Sequence, residues 1–277
     1  MDKRYFQSSF QVTVKAEDAV SGVREIICTM PGGGVQKIEG GLGKLEISPG
    51  FTGKITAYAV DLSGRKGKET ESERICCENE APRISLDTGI GRAVWRQENA
   101  AVCVRVDEAG EQFGFSSGLK RVTYYIDGQV EGKREYPSSE GEVFSDFLEF
   151  EVSKPSENGE GIPVMIHAVD WAGNTAVKIE RVFIDNLFPV IEVKGVEDSA
   201  ITGENVEMEI SVLEENVLLE SGIRIWHTAP DETWKELPAA DLEEWEQTEG
   251  GRKKKIVLEE TGGYECRITA EDAAGHR

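Results

Sequence analysis

The sequence predicts an all-β chain built from tandem β-sandwiches. Short stretches with period-two alternation of apolar and polar residues recur along its 277 residues. Clusters of Gly, Pro, Asn and Asp punctuate them as turns. No stretch keeps the helical period with caps at both ends. Two short motifs also recur, in the same order, three times along the chain.

The first motif is a strand running into Ala-x-Asp-x-x-Gly. It appears as Ile55–Arg65, Val164–Asn174 and Tyr264–His276, with its Asp at Asp61, Asp170 and Asp272, 109 and 102 positions apart. The second is Ser-Gly followed by an aliphatic residue: Ser21-Gly22-Val23, Ser117-Gly118-Leu119 and Ser221-Gly222-Ile223, 96 and 104 apart. The Asp is expected to accept backbone N–H groups inside a tight turn that a left-handed Gly closes. Three copies in three turns call for a structural cause rather than a catalytic one. Ser-Gly is expected to open a strand, as in Val122, Tyr124 and Ile126, which share one face.

Further strands are predicted at 11–15, 44–47, 102–106, 147–152, 206–212 and 255–259. Turn signals stand between strands at Pro31-Gly32-Gly33-Gly34, Asp127-Gly128, Glu157-Asn158-Gly159 and Gly250-Gly251. Ala239–Trp245 reads as a single acidic turn in a loop. Lys253-Lys254-Lys255 reads as a charged guard preceding the strand that starts Ile256-Val257-Leu258. The repeat divides the chain into residues 1–80, 81–188 and 189–277. The links around Pro82 and Pro189 are short, and proline fixes φ there. Three tandem domains in an elongated, stiffly jointed rod are therefore expected.

Ser-Gly-aliphatic, then Ala-x-Asp-x-x-Gly-Asn, then Ile184-Asp185-Asn186-x-x-Pro189-x-Ile191 resembles the bacterial immunoglobulin-like repeats of secreted and cell-surface proteins. The middle segment carries the whole pattern. The first has Arg65 and the third His276 where Asn is usual. The resemblance implies three immunoglobulin-like β-sandwiches in an extracellular or cell-surface location. It implies a non-enzymatic spacer or adhesive stalk. The alternative is an accessory, carbohydrate-binding region of a secreted polysaccharide-acting enzyme. The first segment lacks the Pro-x-Ile strand seen at Pro82 and Pro189, and the third stops just after its Asp272–Gly275 turn. The chain is thus expected to be a fragment of a longer protein.

Charge and composition narrow the partners. There are 52 Asp and Glu against 31 Lys and Arg, a net charge of −21. That opposes nucleic acid and anionic membrane surfaces, and no apolar run suffices for a membrane helix. The excess is graded: −1 over residues 1–80, −7 over 81–190 and −13 over 191–277. An unidentified surface protein or a glycan remains the expected partner. Cys103 and Cys266 have no partner across a sandwich and are expected to be small buried hydrophobes. Cys28 could pair with Cys76 or Cys77 on sequence grounds alone. No C-x2-C pair, phosphate loop or nucleophile elbow occurs, and His167 is expected on the solvent face of its strand.

Two candidate sites follow. The loop after the second strand and the Asp-x-x-Gly turn share one end of such a sandwich. That places Asp107, Glu108 and Asp170 beside the link carrying Glu78 and Glu80, and Glu214, Glu215 and Asp272 beside Asp185. Oxygen clusters at stiff joints suit calcium, so Asp107, Asp170, Asp185 and Asp272 are its candidate ligands. Otherwise no cofactor is expected. Trp171 stands where Leu62 and Ala273 stand in the other repeats, so its fold role is replaceable and it is a candidate ligand-binding aromatic. Trp234 and Trp245 flank the acidic insertion of the third segment.

Overall fold

The computed structural model describes residues 3–87, 94–137, 142–230, 233–238 and 244–277. Among them every regular element is a β-strand. The first segment holds β1 (Lys3–Phe6), β2 (Phe10–Lys15), β3 (Val23–Thr29), β4 (Val35–Glu39), β5 (Leu42–Ile47), β6 (Phe51–Gly53), β7 (Thr56–Asp61), β8 (Thr70–Glu71) and β9 (Arg74–Cys77). Their sheets run β1-β9-β6, β2-β5 and β4-β3-β7-β8. In β5, Leu45 and Ile47 are buried while Lys44 and Glu46 face water, the alternation that a half-buried strand requires. Leu45 and Ile47 join Ile26, Cys28, Ile55, Ala57, Ile75 and Cys77 in one core. Each large aliphatic side chain buried there contributes about 1.5–3 kcal/mol.

The middle segment holds β10 (Arg83–Asp87), β11 (Trp95–Arg96), β12 (Ala100–Asp107), β13 (Leu119–Ile126), β14 (Gln129–Glu135), β15 (Ser145–Val152), β16 (Ile162–Asp170) and β17 (Thr175–Ile184). The sheets are β10-β12-β15 and β11-β17-β16-β13-β14. The short β11 pairs parallel to β17, as β1 does to β9, while β13 pairs antiparallel to β14 and β16. This is the strand order of an immunoglobulin-like sandwich. Asp127 and Gly128, at φ 48° and 75°, form the two-residue hairpin between β13 and β14. In β16, Val164, Ile166 and Ala168 are buried and His167 is on the opposite face, as expected.

The last segment holds β18 (Val190–Lys194), β19 (Val206–Leu213), β20 (Leu218–Thr228), β21 (Lys235–Glu236), β22 (Glu246–Thr248), β23 (Gly251–Leu258) and β24 (Gly263–Asp272). Its sheets are β18-β19-β23-β22 and β21-β20-β24, around Met208, Ile210, Ile223, Ile225 and Ile256.

By its internal contacts the chain divides into two compact units. One comprises Met1–Asp87, Cys103–Glu149 and Val164–Glu180, the other Thr88–Val102, Phe150–Pro163 and Arg181–Arg277. The cut runs through β12, β15, β16 and β17.

Several expectations need correction. Ser221-Gly222 lies inside β20 and does not open it. The carbonyls of Gly22 and Gly118 accept the N–H after the turn Asp, from Leu62 and Trp171, and in the third copy Val217 accepts the N–H of Ala273. Val217 is therefore the structural counterpart of Gly22 and Gly118, and the sequence match at Gly222 sits five residues late. Lys253, Lys254 and Lys255 lie within β23, opposite Ser211, Ile210 and Glu209. Acids on flanking strands neutralise two of them, Glu246 with Lys253 and Glu209 with Lys255. Cys266 shares a face with Ile268 and Ala270, yet it is exposed, although Tyr264 farther along the same face packs against the core. Cys103 is half-buried. All five cysteines are free thiols. Most of the acidic turn expected at Ala239–Trp245 lies outside the described residues.

Candidate buried carboxyl sites

All three Asp-x-x-Gly turns form as the motif predicts. Asp61 Oδ1 accepts the N–H of Arg65 at 2.8 Å, Asp170 Oδ1 accepts those of Gly173 and Asn174 at 2.6 and 2.8 Å, and Asp272 Oδ1 accepts that of His276 at 2.9 Å. Gly64, Gly173 and Gly275 take φ of 87°, 98° and 87°, a region that costs glycine little and other residues much. The copies then diverge. Asp61 is half-buried, whereas Asp170 and Asp272 are both 0% exposed and each lies among other acids.

In the first unit the acids are Glu78, just past β9, Glu108, just past β12, and Asp170, at the end of β16. One carboxylate oxygen from each lies within 4.8 Å of the others. Glu78 is well supported. Its Oε1 accepts the Ser117 hydroxyl at 2.8 Å, and its Oε2 accepts the Glu80 N–H at 2.8 Å and Asn174 Nδ2 at 3.0 Å. Asn174 Nδ2 also donates to Asp170 Oδ2 at 2.8 Å. The amide of Asn174 thus bridges two carboxyls, lending donors without adding charge.

Glu108 has both oxygens buried, and neither makes a well-formed hydrogen bond among the described residues. Burial pushes its carboxyl up to about 8, the charges of Asp170 and Glu78 push the same way, and the nearby Gly118 amide and Ser116 hydroxyl oppose them. Burial also holds the Asp170 carboxyl well above the ordinary aspartate range. Hydrogen bonds from Asn174 oppose that rise and the Glu78 charge reinforces it. The cluster therefore holds protons at neutral pH, as crowded buried acids do.

The second unit repeats the arrangement with different residues. Asp185 stands four residues before Pro189, as Glu78 stands before Pro82. Glu214 follows β19 as Glu108 follows β12, and Asp272 and His276 stand where Asp170 and Asn174 do. A carboxylate oxygen of Asp185, one of Asp272 and a ring nitrogen of His276 lie within 4.8 Å of one another. His276 Nδ1 is 2.7 Å from Asp272 Oδ2. Asp185 Oδ1 accepts the Leu187 N–H at 3.1 Å and Glu214 Oε1 the Asn216 N–H at 2.9 Å. Asp185 Oδ2 and Glu214 Oε2 are buried with no hydrogen-bond partner among the described residues. Burial raises the Glu214 carboxyl above its usual range, and the charges of Asp185 and Asp272 add to that.

The sequence thus placed Glu78, Glu108 and Asp170 together, and Asp185, Glu214 and Asp272 together. It misplaced Asp107, which alternation on β12 turns away from the cluster to accept Ser145 Oγ at 2.7 Å and Arg105 Nε at 2.8 Å. Glu80 turns instead to the N–H groups of Glu111 and Gln112, and Glu215 is exposed. The roles of Ser117, Asn174 and His276 were missed. The fixed spacing of four residues from each turn Asp was the available signal for the last two.

Trp171 is half-buried. Its ring stacks on Tyr5 with centroids 5.8 Å apart, and its indole nitrogen is buried. Trp245 packs against the core of the last segment, and Trp234 is exposed.

No protein-family model matches the sequence, and neither does any curated protein. Among solved structures, the chain is similar to an ICAM-5 D1-D4 ectodomain fragment at 12% identity, covering 98% of this chain and 73% of that one with a TM-score of 0.45. It is similar to a tetra-tandem repeat in the extending region of a large adhesion protein at 13% identity, covering 98% and 68% with a TM-score of 0.38. It is also similar to fibronectin(III)-like modules of Clostridium thermocellum CbhA at 14% identity, covering 66% and 88% with a TM-score of 0.33.

Proposed function

We propose that the chain is a non-enzymatic spacer or adhesive stalk segment of a bacterial cell-surface or secreted protein. In this reading it comprises three tandem domains over 1–80, 81–188 and 189–277. The observation that carries the reading is how its repeated chemistry is used. The Asp of every copy is engaged in capping its own turn, and the acids that gather are buried, where a polymeric substrate has no access. Chain built from repeated sandwiches supplies length and stiffness rather than a reacting centre. A surplus of negative charge that grows along the chain keeps neighbouring copies apart. Tyr5 stacks on one face of Trp171 and the Lys120 ammonium stands 5.3 Å from the ring centroid, contacts that give the indole a packing role and favour the spacer over the carbohydrate-binding alternative.

The test is a glycan array together with hydrolysis assays on a polysaccharide panel, using the whole chain and Trp171→Ala. The spacer reading expects no hydrolysis and no glycan signal that depends on Trp171. Hydrolysis, or binding abolished by Trp171→Ala, would move the chain to the accessory role.

A further inference from the structure

We propose that Asp185, Asp272 and His276, with the Glu214 carboxyl beside them, form a binding site for a divalent first-row transition metal, with Zn²⁺ the preferred ion. The three acids share one design. Each has one oxygen fixed by a backbone N–H: Asp185 by Leu187, Glu214 by Asn216 and Asp272 by His276. That leaves the second oxygen of each for another partner. For Asp272 that partner is the His276 ring, while Asp185 Oδ2 and Glu214 Oε2 have none among the described residues. Asp185 is 0% exposed and Glu214 7%, so water does not compensate them. Unpaired buried carboxylate is costly, and a divalent cation removes the cost for several groups at once.

The counterpart cluster around Glu78 also holds unpaired oxygens, both on Glu108, but that carboxyl keeps its proton and the other two acids are met by donors. There the Ser117 hydroxyl and the Asn174 amide supply donors to the acids. In the second cluster Asn216 stands at the position of Ser117, and its side chain turns away to accept the Gly159 N–H at 3.3 Å. His276 stands at the position of Asn174, and its ring nitrogen meets Asp272 rather than bridging to Asp185. The exchange of an amide for an imidazole removes one donor to the acids and adds a nitrogen ligand. Imidazole with carboxylates suits zinc and its neighbours, whereas calcium requires six to eight oxygens. Phe188 covers the His276 ring at 4.5 Å, shielding that side. Glu214 also lines a polar cleft of about 400 Å³, with Asn158, Gln247, Thr248 and Arg252, which offers an approach for the ion.

The experiment uses the whole chain stripped with chelator, titrated calorimetrically with Zn²⁺ and separately with Ca²⁺, with thermal unfolding read in parallel. Expected are one zinc per chain, a raised melting temperature, and calcium binding at least about a hundredfold weaker. Asp185→Asn and His276→Asn should each weaken zinc by about a hundredfold or more. Both variants should fold, since one removes a buried charge and the other installs the residue found at Asn174. Co²⁺ absorption of the wild-type chain provides a readout independent of any variant, with intense visible bands expected from a low-coordinate site. No zinc heat, zinc affinity unchanged in both variants, calcium binding as tight as zinc, or a Co²⁺ spectrum like the aquo ion would each overturn the proposal.

Discussion

Asn174 and His276 occupy the same position in successive turns, and each brings a side-chain nitrogen to Oδ2 of its turn aspartate, at 2.8 Å and 2.7 Å. Asn174 continues to Glu78, whereas His276 leaves Asp185 Oδ2 without a hydrogen bond. One turn geometry therefore supports two different solutions for buried acid. In the first, a neutral amide and retained protons relieve the charge. In the second, an imidazole and unpaired oxygens wait for a counter-charge.

Asn174→Ala should destabilise the chain by about 2–3 kcal/mol, because it strips donors from two buried carboxyls at once. Urea unfolding at pH 7 checks this. The deficit should shrink toward pH 5, where more of the cluster's carboxyls are protonated.

The Glu108 carboxyl predicts a stability that falls with rising pH. Its folded value of about 8 lies above the value of roughly 4.3 for an unfolded glutamate. The folded state therefore binds the extra proton between those limits, and stability is lost as pH rises through about 8. Glu108→Gln should flatten that slope and stabilise the chain at pH 8 by about 1–3 kcal/mol. Denaturation at pH 5, 7 and 8.5 decides the matter. A wild-type slope retained in the variant would contradict it.

Thiol labelling should follow exposure. Cys266 is exposed, while Cys28, Cys76 and Cys77 are buried. Burial, reinforced by the Glu78 and Glu142 charges, pushes Cys76 up to about 12. A maleimide at pH 8 should therefore modify Cys266 well before those three, and Cys266→Ser should abolish the fast phase.

Ile166 has no exposed surface and sits on β16 opposite Tyr124 of β13. Ile166→Ala should cost about 2–5 kcal/mol through the cavity it leaves. The equilibrium midpoint in denaturant reports it.

The proposed three-domain division predicts a mechanical signature. Pulled from its ends, one molecule should release three successive lengths of about 30 nm each, from the roughly 3.3–3.6 Å that each extended residue spans. Two larger releases would instead match the two compact units and overturn the division.

Local patterning made the strands legible. Alternation on β5, β12, β16 and β19 states which residues face inward, because a strand has only two faces. The Asp-x-x-Gly turn was equally legible, since its hydrogen bonds lie within five residues of Asp61, Asp170 or Asp272. The same alternation gave the wrong answer for Cys266, because parity names a face and not what covers it. Ser221-Gly222 shows a related limit, for a short motif can recur a few residues away from its structural place.

By itself, then, the sequence determined the all-β class, the turns, and the approach of Glu78, Glu108 and Asp170, and of Asp185, Glu214 and Asp272. All of these follow from local hydrogen bonding, periodicity and the order of repeats. The tertiary structure decided which oxygens are satisfied. Ser117 lies 39 residues from Glu78, Asn174 lies 96 residues from it, and Asp185 meets His276 only when the ends of separate strands converge. Side-chain donors act over about 3 Å, so only folding fixes which of two equivalent acid clusters is neutralised from within and which is left to seek a cation.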